Sequence, residues 1–319
     1  MGILEDLAVH YAAVRGHSTI PREPELALAV FAADHGVAVE GVSAYPAEVT
    51  GKMVAAIATG QAAVSVLAKS HGIALSVTDV GVASALPAFD PSPTIRFAER
   101  RVANGTKNFV YEPAMSGDEL DRALSVGWEE ARRLAREGAT VVGVGEVGIG
   151  NTTSAAALVC AFTGASPDAV VGRGTGIDDT TLARKRSKVT EALALHSRTN
   201  SDPRALLAAL GGLELAAMTG FLLGAAEAKL LVVLDGFLAS AAALGARALS
   251  DHAIGYCVAS HESAEAGARI ALEALGLEPL LRLRMRLGEG TGAALAMSLV
   301  RDSIRLEREM GTFASAGLA

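Results

Sequence analysis

The chain has 319 residues, enough for one large domain with an appendage or for two domains, and enough to bury a sizeable core. Its formal charge of −7 excludes the broad basic footprint of a nucleic-acid binder but leaves room for a local basic pocket around one phosphate. Half of the residues are hydrophobic and only 4% aromatic; Ala and Leu favour helices, while 34 glycines are too many for a plain helical bundle.

The two cysteines, Cys160 and Cys257, lie in apolar stretches outside any CxxC pair and read as buried thiols in a reducing compartment. No signal-peptide pattern opens the chain. The apolar stretches Leu215–Ala226 and Gly236–Ala246 fall short of the ~20 residues of a membrane span. A cytoplasmic protein with neither a membrane nor a nucleic-acid partner is expected.

In chain order, residues 1–20 read as a helix. Leu26–Ala33 is a short apolar run ending in Asp34-His35-Gly36. Val49–Lys69 reads as one long helix, and Ile73–Val77 as a strand running into Thr78-Asp79-Val80-Gly81. Glu119–Glu137 is a charged amphipathic helix. Ala139–Val144 runs into Gly145-Glu146-Val147-Gly148, and the alanine-rich helix Thr152–Thr163 follows. Helical patterns over Leu182–His196 and Asp202–Leu210 precede Leu230–Leu234, which ends in Asp235-Gly236. Ile254–Ala259 runs into Ser260-His261-Glu262-Ser263, and helical patterns occupy Ser263–Leu275 and Gly292–Met310. Short apolar runs between turn signals read as buried strands, and their alternation with helices implies a parallel sheet covered on both faces. Ligands gather outside the carboxyl ends of such strands, so all five polar endings are expected to face one crevice, as in an enzyme or small-molecule binder. The two end helices are expected to pack together as a small helical subdomain.

Three segments carry chemistry. Gly145–Thr153 sets closely spaced glycines between a strand and a helix start, which suits either a phosphate loop or a tight structural turn. Glu146 within it would repel a phosphate unless it has a task nearby. Gly172-Arg173-Gly174-Thr175-Gly176 reads as a loop before a helix, and at most one of Arg184, Lys185 and Arg186 need face a site. Leu287-Gly288-Glu289-Gly290-Thr291-Gly292 surrounds one carboxylate with glycines. Apolar neighbours such as Leu287 would raise Glu289 towards a general-base pKa; the plainer reading is a helix N-cap turn. His35, His252 and His261 lack metal-ligand spacing, and His35 and His261 read as hydrogen-bonded structural histidines at strand ends. No GxxxxGKS loop is present.

Taken in order, FAADHGVAVEGVSAYPAEVTGKM (31–53), GTKN (105–108), GEVGIGNTT (145–153), GRGTGIDD (172–179), GGLELAAMTG (211–220), LDGF (234–237), ASHESAE (259–265) and RLGEGTGAA (286–294) resemble the nicotinate-nucleotide–dimethylbenzimidazole phosphoribosyltransferase family over nearly the whole chain. The resemblance implies an α/β fold: a Rossmann-like parallel sheet flanked by helices over residues 21–285, with a small helical domain from residues 1–20 and 286–319. It implies a homodimer that converts nicotinate mononucleotide and 5,6-dimethylbenzimidazole to α-ribazole 5′-phosphate and nicotinate, with inversion at the anomeric carbon, in assembly of the cobalamin nucleotide loop. By this resemblance Glu289 is the catalytic base and Glu146 a second acidic residue at the reaction centre. Phosphate and ribose would lie around Gly148, Gly174, Thr175, Gly176, Lys185, Asp235, Gly236 and Ser263, and the base around Ser43, Tyr45, Lys52 and Leu287. No metal or cofactor is implied.

The chain departs from the family at Lys52, where Gln is usual, and in the basic Arg282 and Arg284. It also has Met1-Gly2-Ile3 where a Pro/Gly/Ser-rich segment usually precedes Leu4-Glu5. Lys52 and the two arginines motivate an alternative acceptor, adenine or a phenol. A nucleotide-binding homologue without turnover is a further reading. A dinucleotide oxidoreductase fits poorly, because the first strand ends in Asp34-His35-Gly36 and not in a glycine fingerprint.

Overall fold

The computed structural model describes residues 2–17, 19–174, 176–196, 202–312 and 314–317. Its strands are β1 (Leu26–Ala33), β2 (Ala74–Gly81), β3 (Ile95–Glu99), β4 (Val141–Val147), β5 (Leu231–Leu234), β6 (Cys257–His261) and β7 (Pro279–Leu281). They form one parallel sheet in the order β3-β2-β1-β4-β5-β6-β7. The chain works outward from β1 to one edge, then from β4 to the other. The order therefore reverses between β1 and β4, the position at which Rossmann-like sheets open a crevice.

The helices are α1 (Ile3–Arg15), α2 (Val49–Ala58), α3 (Ala63–His71), α4 (Gly117–Arg136), α5 (Asn151–Thr163), α6 (Pro167–Val170), α7 (Asp179–Leu195), α8 (Pro203–Leu210), α9 (Leu213–Glu227), α10 (Phe237–Leu249), α11 (Ala268–Leu275) and α12 (Thr291–Glu309). They cover both faces of the sheet, and β1 shows why. All eight of its residues are buried. Ala27, Ala29, Phe31 and Ala33 face one hydrophobic cluster with α4, α5, α9 and α10, while Leu26, Leu28, Val30 and Ala32 face the other with α1, α2, α3 and α12. Two buried faces make the strand a continuous apolar run.

Helix α9 is apolar on all sides and runs through the first cluster, where Phe221 meets Phe31 edge-on at 5.8 Å between ring centroids. Its partner α4 is amphipathic and starts at a capping box formed by Ser116 and Glu119. The two helices touch at backbone distance. A Cβ on Gly127 would overlap the Ala217 carbonyl, and one on Gly220 the Leu124 carbonyl.

Several boundaries differ from the sequence expectation. The single helix expected over Val49–Lys69 is two. The Thr59 hydroxyl donates back to the Ala55 carbonyl at 2.8 Å, Gly60 takes a left-handed φ of 87°, and α3 restarts at Ala63. The 49–71 stretch has the length and hydropathy of a membrane span, yet this break divides it and both halves pack on β2. Strand β4 continues three residues past Val144, so Glu146 stands on the strand itself. Edge strands β3 and β7 and helices α9 and α10 complete the layers. The end helices α1 and α12 pack on one another, and residues from both sides of the expected domain division share one cluster: Leu7 and Tyr11 with Leu28, Val233, Val300 and Ile304.

The α4–α9 contact yields a stability test. Gly220→Ala gains about 1 kcal/mol of helix propensity but forces a methyl into the Leu124 carbonyl, so a net loss of roughly 1–2 kcal/mol is expected in urea unfolding. Gly117→Ala, at a helix position with open space around it, is expected to be neutral or slightly stabilising.

Candidate active site

The ends of β4, β5 and β6 and the loop before α12 enclose a cavity of about 620 Å³, within the range that holds small organic ligands. The loop reaches β4 because residue 145 is glycine: a Cβ there would lie 2.6 Å from the Glu289 carbonyl carbon. What fixes the loop is Asp235 at the end of β5. Its Oδ1 accepts the N–H groups of Gly292 (2.7 Å) and Ala293 (3.1 Å), and its Oδ2 accepts that of Gly290 (3.1 Å). A buried carboxylate on one element thus caps the first turn of α12, whose own N-cap residue, Gly290, has no side chain to do so.

Gly288, Glu289 and Gly290 all adopt left-handed backbone conformations, with φ of 83°, 63° and 90°. For glycine this is free. For Glu289 it costs on the order of 1 kcal/mol, which the Asp235 hydrogen bonds offset. Glu289 is buried, and its Oε2 has no hydrogen-bond partner. Burial raises its pKa above the ordinary glutamate value, the Asp235 charge adds to this, and the Val64 N–H at the start of α3 opposes it.

Glu146 is held by an N–H of the Asn151 side chain. Burial pushes its pKa well up, and the charges of Glu214, Asp235 and Glu289 push further. The hydrogen bonds around His261 assign the tautomer of its ring. The Ser260 hydroxyl donates to the Asp235 carbonyl at 2.6 Å, so it accepts from His261 Nδ1–H at 2.9 Å, and Nε2 remains an acceptor. Burial lowers the His261 pKa, with Asp235 opposing.

The opposite end has the other polarity. Helix α5 starts after the Gly148-Ile149-Gly150 turn without a side-chain cap; the Asn151 and Thr153 N–H groups turn back to the Gly148 (3.4 Å) and Gly150 (3.0 Å) carbonyls, and the dipole at this helix end favours an anion. Thr50 of α2 accepts the Ile149 N–H at 3.1 Å and ties that turn to the neighbouring helix. Lys185 is 1% exposed, and its ammonium donates to Thr152 Oγ1 at 2.8 Å and the Gly172 carbonyl at 3.3 Å. Burial lowers its pKa to about 8, opposed by Glu265. Arg184 instead reaches the Gly41 carbonyl and Arg186 lies beside Asp168, so one residue of the basic run turns inward.

Among the residues singled out from the sequence, Glu146, Gly148, Gly174, Asp235, Gly236, Ser263, Glu289, Tyr45 and Leu287 line the cavity. Lys185 stands directly behind Gly174. Gly176 is not among the lining residues, nor is Ser43, whose hydroxyl accepts the Tyr45 N–H. Lys52 is exposed and also absent from the lining. Thr175 lies outside the described residues. Asp235 was expected at the phosphate, yet both its oxygens are engaged by the Glu289 loop.

The expectation that five strand endings converge needs correction, since three do. At the end of β1, Asp34 accepts the Ala83 N–H and His35 pairs with Glu214 at 2.7 Å with both side chains fully buried. At the end of β2, Asp79 pairs with Arg101. These groups are spent on structure. Sequence reasoning missed Asn151, Thr152 and Arg286 as cavity residues, although all three stand inside the glycine-rich segments it singled out.

This is the layout of an α/β enzyme whose cavity has a helix N-terminus and a buried lysine at one end and buried carboxyl groups at the other. A family model described as phosphoribosyltransferase matches residues 1–318. The nicotinate-nucleotide–dimethylbenzimidazole phosphoribosyltransferase of Chloroflexus aggregans is 46% identical over 319 residues, covering 100% of this chain and 89% of that protein. The enzyme of the same name from Chromobacterium violaceum is 46% identical over 322 residues, covering 100% and 91%. The crystal structure of CobT from Thermus thermophilus superposes with a TM-score of 0.92 at 46% identity, covering 100% of this chain and 93% of that one. The chain belongs to the nicotinate-nucleotide–dimethylbenzimidazole phosphoribosyltransferase family.

If Asp235 holds the Glu289 loop, Asp235→Ala leaves three N–H groups without their acceptor. A loss of about 1–2 kcal/mol in stability is expected, together with faster amide hydrogen exchange in a peptide spanning 286–296 while β1 stays protected. Unchanged exchange in that peptide would remove this role.

Proposed function

We propose that this protein transfers the 5-phosphoribosyl group of nicotinate mononucleotide to 5,6-dimethylbenzimidazole, giving α-ribazole 5′-phosphate and nicotinate with inversion at the anomeric carbon, as a step in assembling the cobalamin nucleotide loop. The observation that carries this reading is Glu289: a buried carboxyl with one unpartnered oxygen, pinned across the cavity from the anion-binding end.

The phosphate lies at the uncapped start of α5 and against Lys185. The bond from ribose to the pyridinium ring is already activated, so nicotinate leaves with the bonding pair and needs no acid. A benzimidazole ring nitrogen forms the new C–N bond from the opposite face, which makes the product α. The attacking ring becomes cationic, and its other N–H gives its proton to Glu289. A raised pKa makes that carboxylate the stronger base. Burial and the neighbouring carboxylates push the Glu146 pKa up and favour its protonated form; a cationic pyridinium ring favours its ionised form, which then faces the positive charge developing on the ribosyl carbon. Positioning of two flat rings about one sugar supplies much of the remainder.

Tyr45, Val49, Met53 and Leu287 give the acceptor an apolar mouth. The exposed position of Lys52 removes a motive for adenine or a phenol as the preferred acceptor. In the same reading the protein works in the cytoplasm as a homodimer.

Incubation with nicotinate mononucleotide and dimethylbenzimidazole is expected to release nicotinate and yield an α-linked product, followed by chromatography and NMR. No release would overturn the assignment. Glu289→Gln is expected to keep nucleotide affinity and lose about 10²–10⁴-fold in kcat; normal turnover would remove its role. The pH profile of kcat/KM for the nucleotide has two limbs. It rises on the acid side as Glu289 loses its proton at a pKa above the ordinary glutamate value. It falls as pH passes about 8, where Lys185 changes from cation to neutral amine. Lys185→Met is expected to raise KM and abolish the alkaline limb; an alkaline limb unchanged in this variant assigns it to another group.

A further inference from the structure

Nicotinate mononucleotide is anionic at two places, the phosphate and the ring carboxylate. The phosphate has its cradle at α5 and Lys185, which leaves the carboxylate to be accounted for. The charged residues lining the cavity are Glu146, Asp235, Glu265, Glu289 and Arg286, so Arg286 is the single lysine or arginine among the described lining residues. An aromatic carboxylate entering among four acidic side chains finds no charge of opposite sign unless a cation meets it. His261 does not serve, because burial favours its neutral form. Lys185 does not serve either, because it is buried behind Gly174 at the phosphate end.

Arg286 is exposed at the cavity, three residues before Glu289 on the same loop. Its neighbour Arg282 is paired with Glu262 at 3.4 Å, whereas Arg286 has no ion pair among the described residues. A guanidinium presents a planar fork of N–H donors that matches a carboxylate and gains much less from a neutral carboxamide. Resting on the phosphoribosyl-transfer reading above, we propose that Arg286 pairs with the ring carboxylate of nicotinate mononucleotide and is the residue that selects the acid nucleotide over its amide counterpart.

The test is Arg286→Gln and Arg286→Lys in the full chain. Calorimetric titration with nicotinate mononucleotide and, separately, nicotinamide mononucleotide is done without acceptor, and KM for each is measured with saturating dimethylbenzimidazole. Arg286→Gln is expected to weaken the acid nucleotide about ten-fold, as for loss of one hydrogen-bonded charge pair, and so to collapse the acid-to-amide preference; Arg286→Lys falls between. Equal weakening of both nucleotides or no change in either would overturn the proposal. A wild-type protein that binds the acid nucleotide but releases no nicotinate defeats the transferase reading alone, since the titrations still report whether Arg286 reads the carboxylate.

Discussion

The carboxylate of Asp235 does more for this site than any group that touches it from the loops. Three backbone N–H groups converge on its two oxygens, and they belong to the residues that carry Glu289 and start α12. Two unfavourable features meet there: a buried charge, and a run of three left-handed residues that includes a glutamate. Alone, a buried unpaired carboxylate is costly, and so is a strained non-glycine residue. Together they offset one another, because the same backbone turn that strains Glu289 aims the donors that satisfy Asp235. Strain of this kind persists when its surroundings over-determine it, and here they do: β5 supplies the acceptor, β4 the glycine surface beneath, and α12 the continuation.

The cavity is electrically divided. Glu146, Asp235 and Glu289 gather at one end with raised pKa values, and Lys185 lies behind the other with a lowered one. Burial moves all four toward neutrality, acids upward and amine downward. Each regains charge most easily when a partner of opposite sign arrives. The two ends therefore favour groups of opposite charge, an anion beside Lys185 and a cation beside the carboxyl groups, so the cavity distinguishes the two ends of a ligand before any specific contact is made.

The sheet was legible because buried strands such as Leu26–Ala33 and Val141–Val144 are uninterrupted apolar runs ending in polar turns. The edge strands were not, since Ile95–Glu99 is half exposed and Pro279–Leu281 has three residues. Helix α9 escaped assignment because a helix apolar on every face has no 3.6-residue period to read. At the site, Glu289 and Glu146 stood out as carboxylates among glycines. For Arg184-Lys185-Arg186 the spacing told that at most one residue turns inward, but only the resemblance pointed to Lys185 as that residue. The task of Asp235 was hidden. A residue that caps a helix 55 positions later leaves no local pattern, because the contact exists only once β5 and α12 are laid on the same sheet.

That long-range contact also explains why the terminal helices share the sheet's core. Glu289 is useful only if its loop is rigid, and the loop is the leading end of α12. Helix α12 buries Ala293, Met297, Val300 and Ile304 against the sheet, and α1 covers its far side, with the Ser303 hydroxyl donating to the Leu4 carbonyl. On the other flank, Tyr11 of α1 donates to Thr140 at 3.0 Å, just ahead of β4. The first helix of the chain therefore braces both the strand that carries Glu146 and the helix that carries the Glu289 loop. Two carboxyl groups that lie 143 positions apart in sequence are held in one register by an element that touches neither.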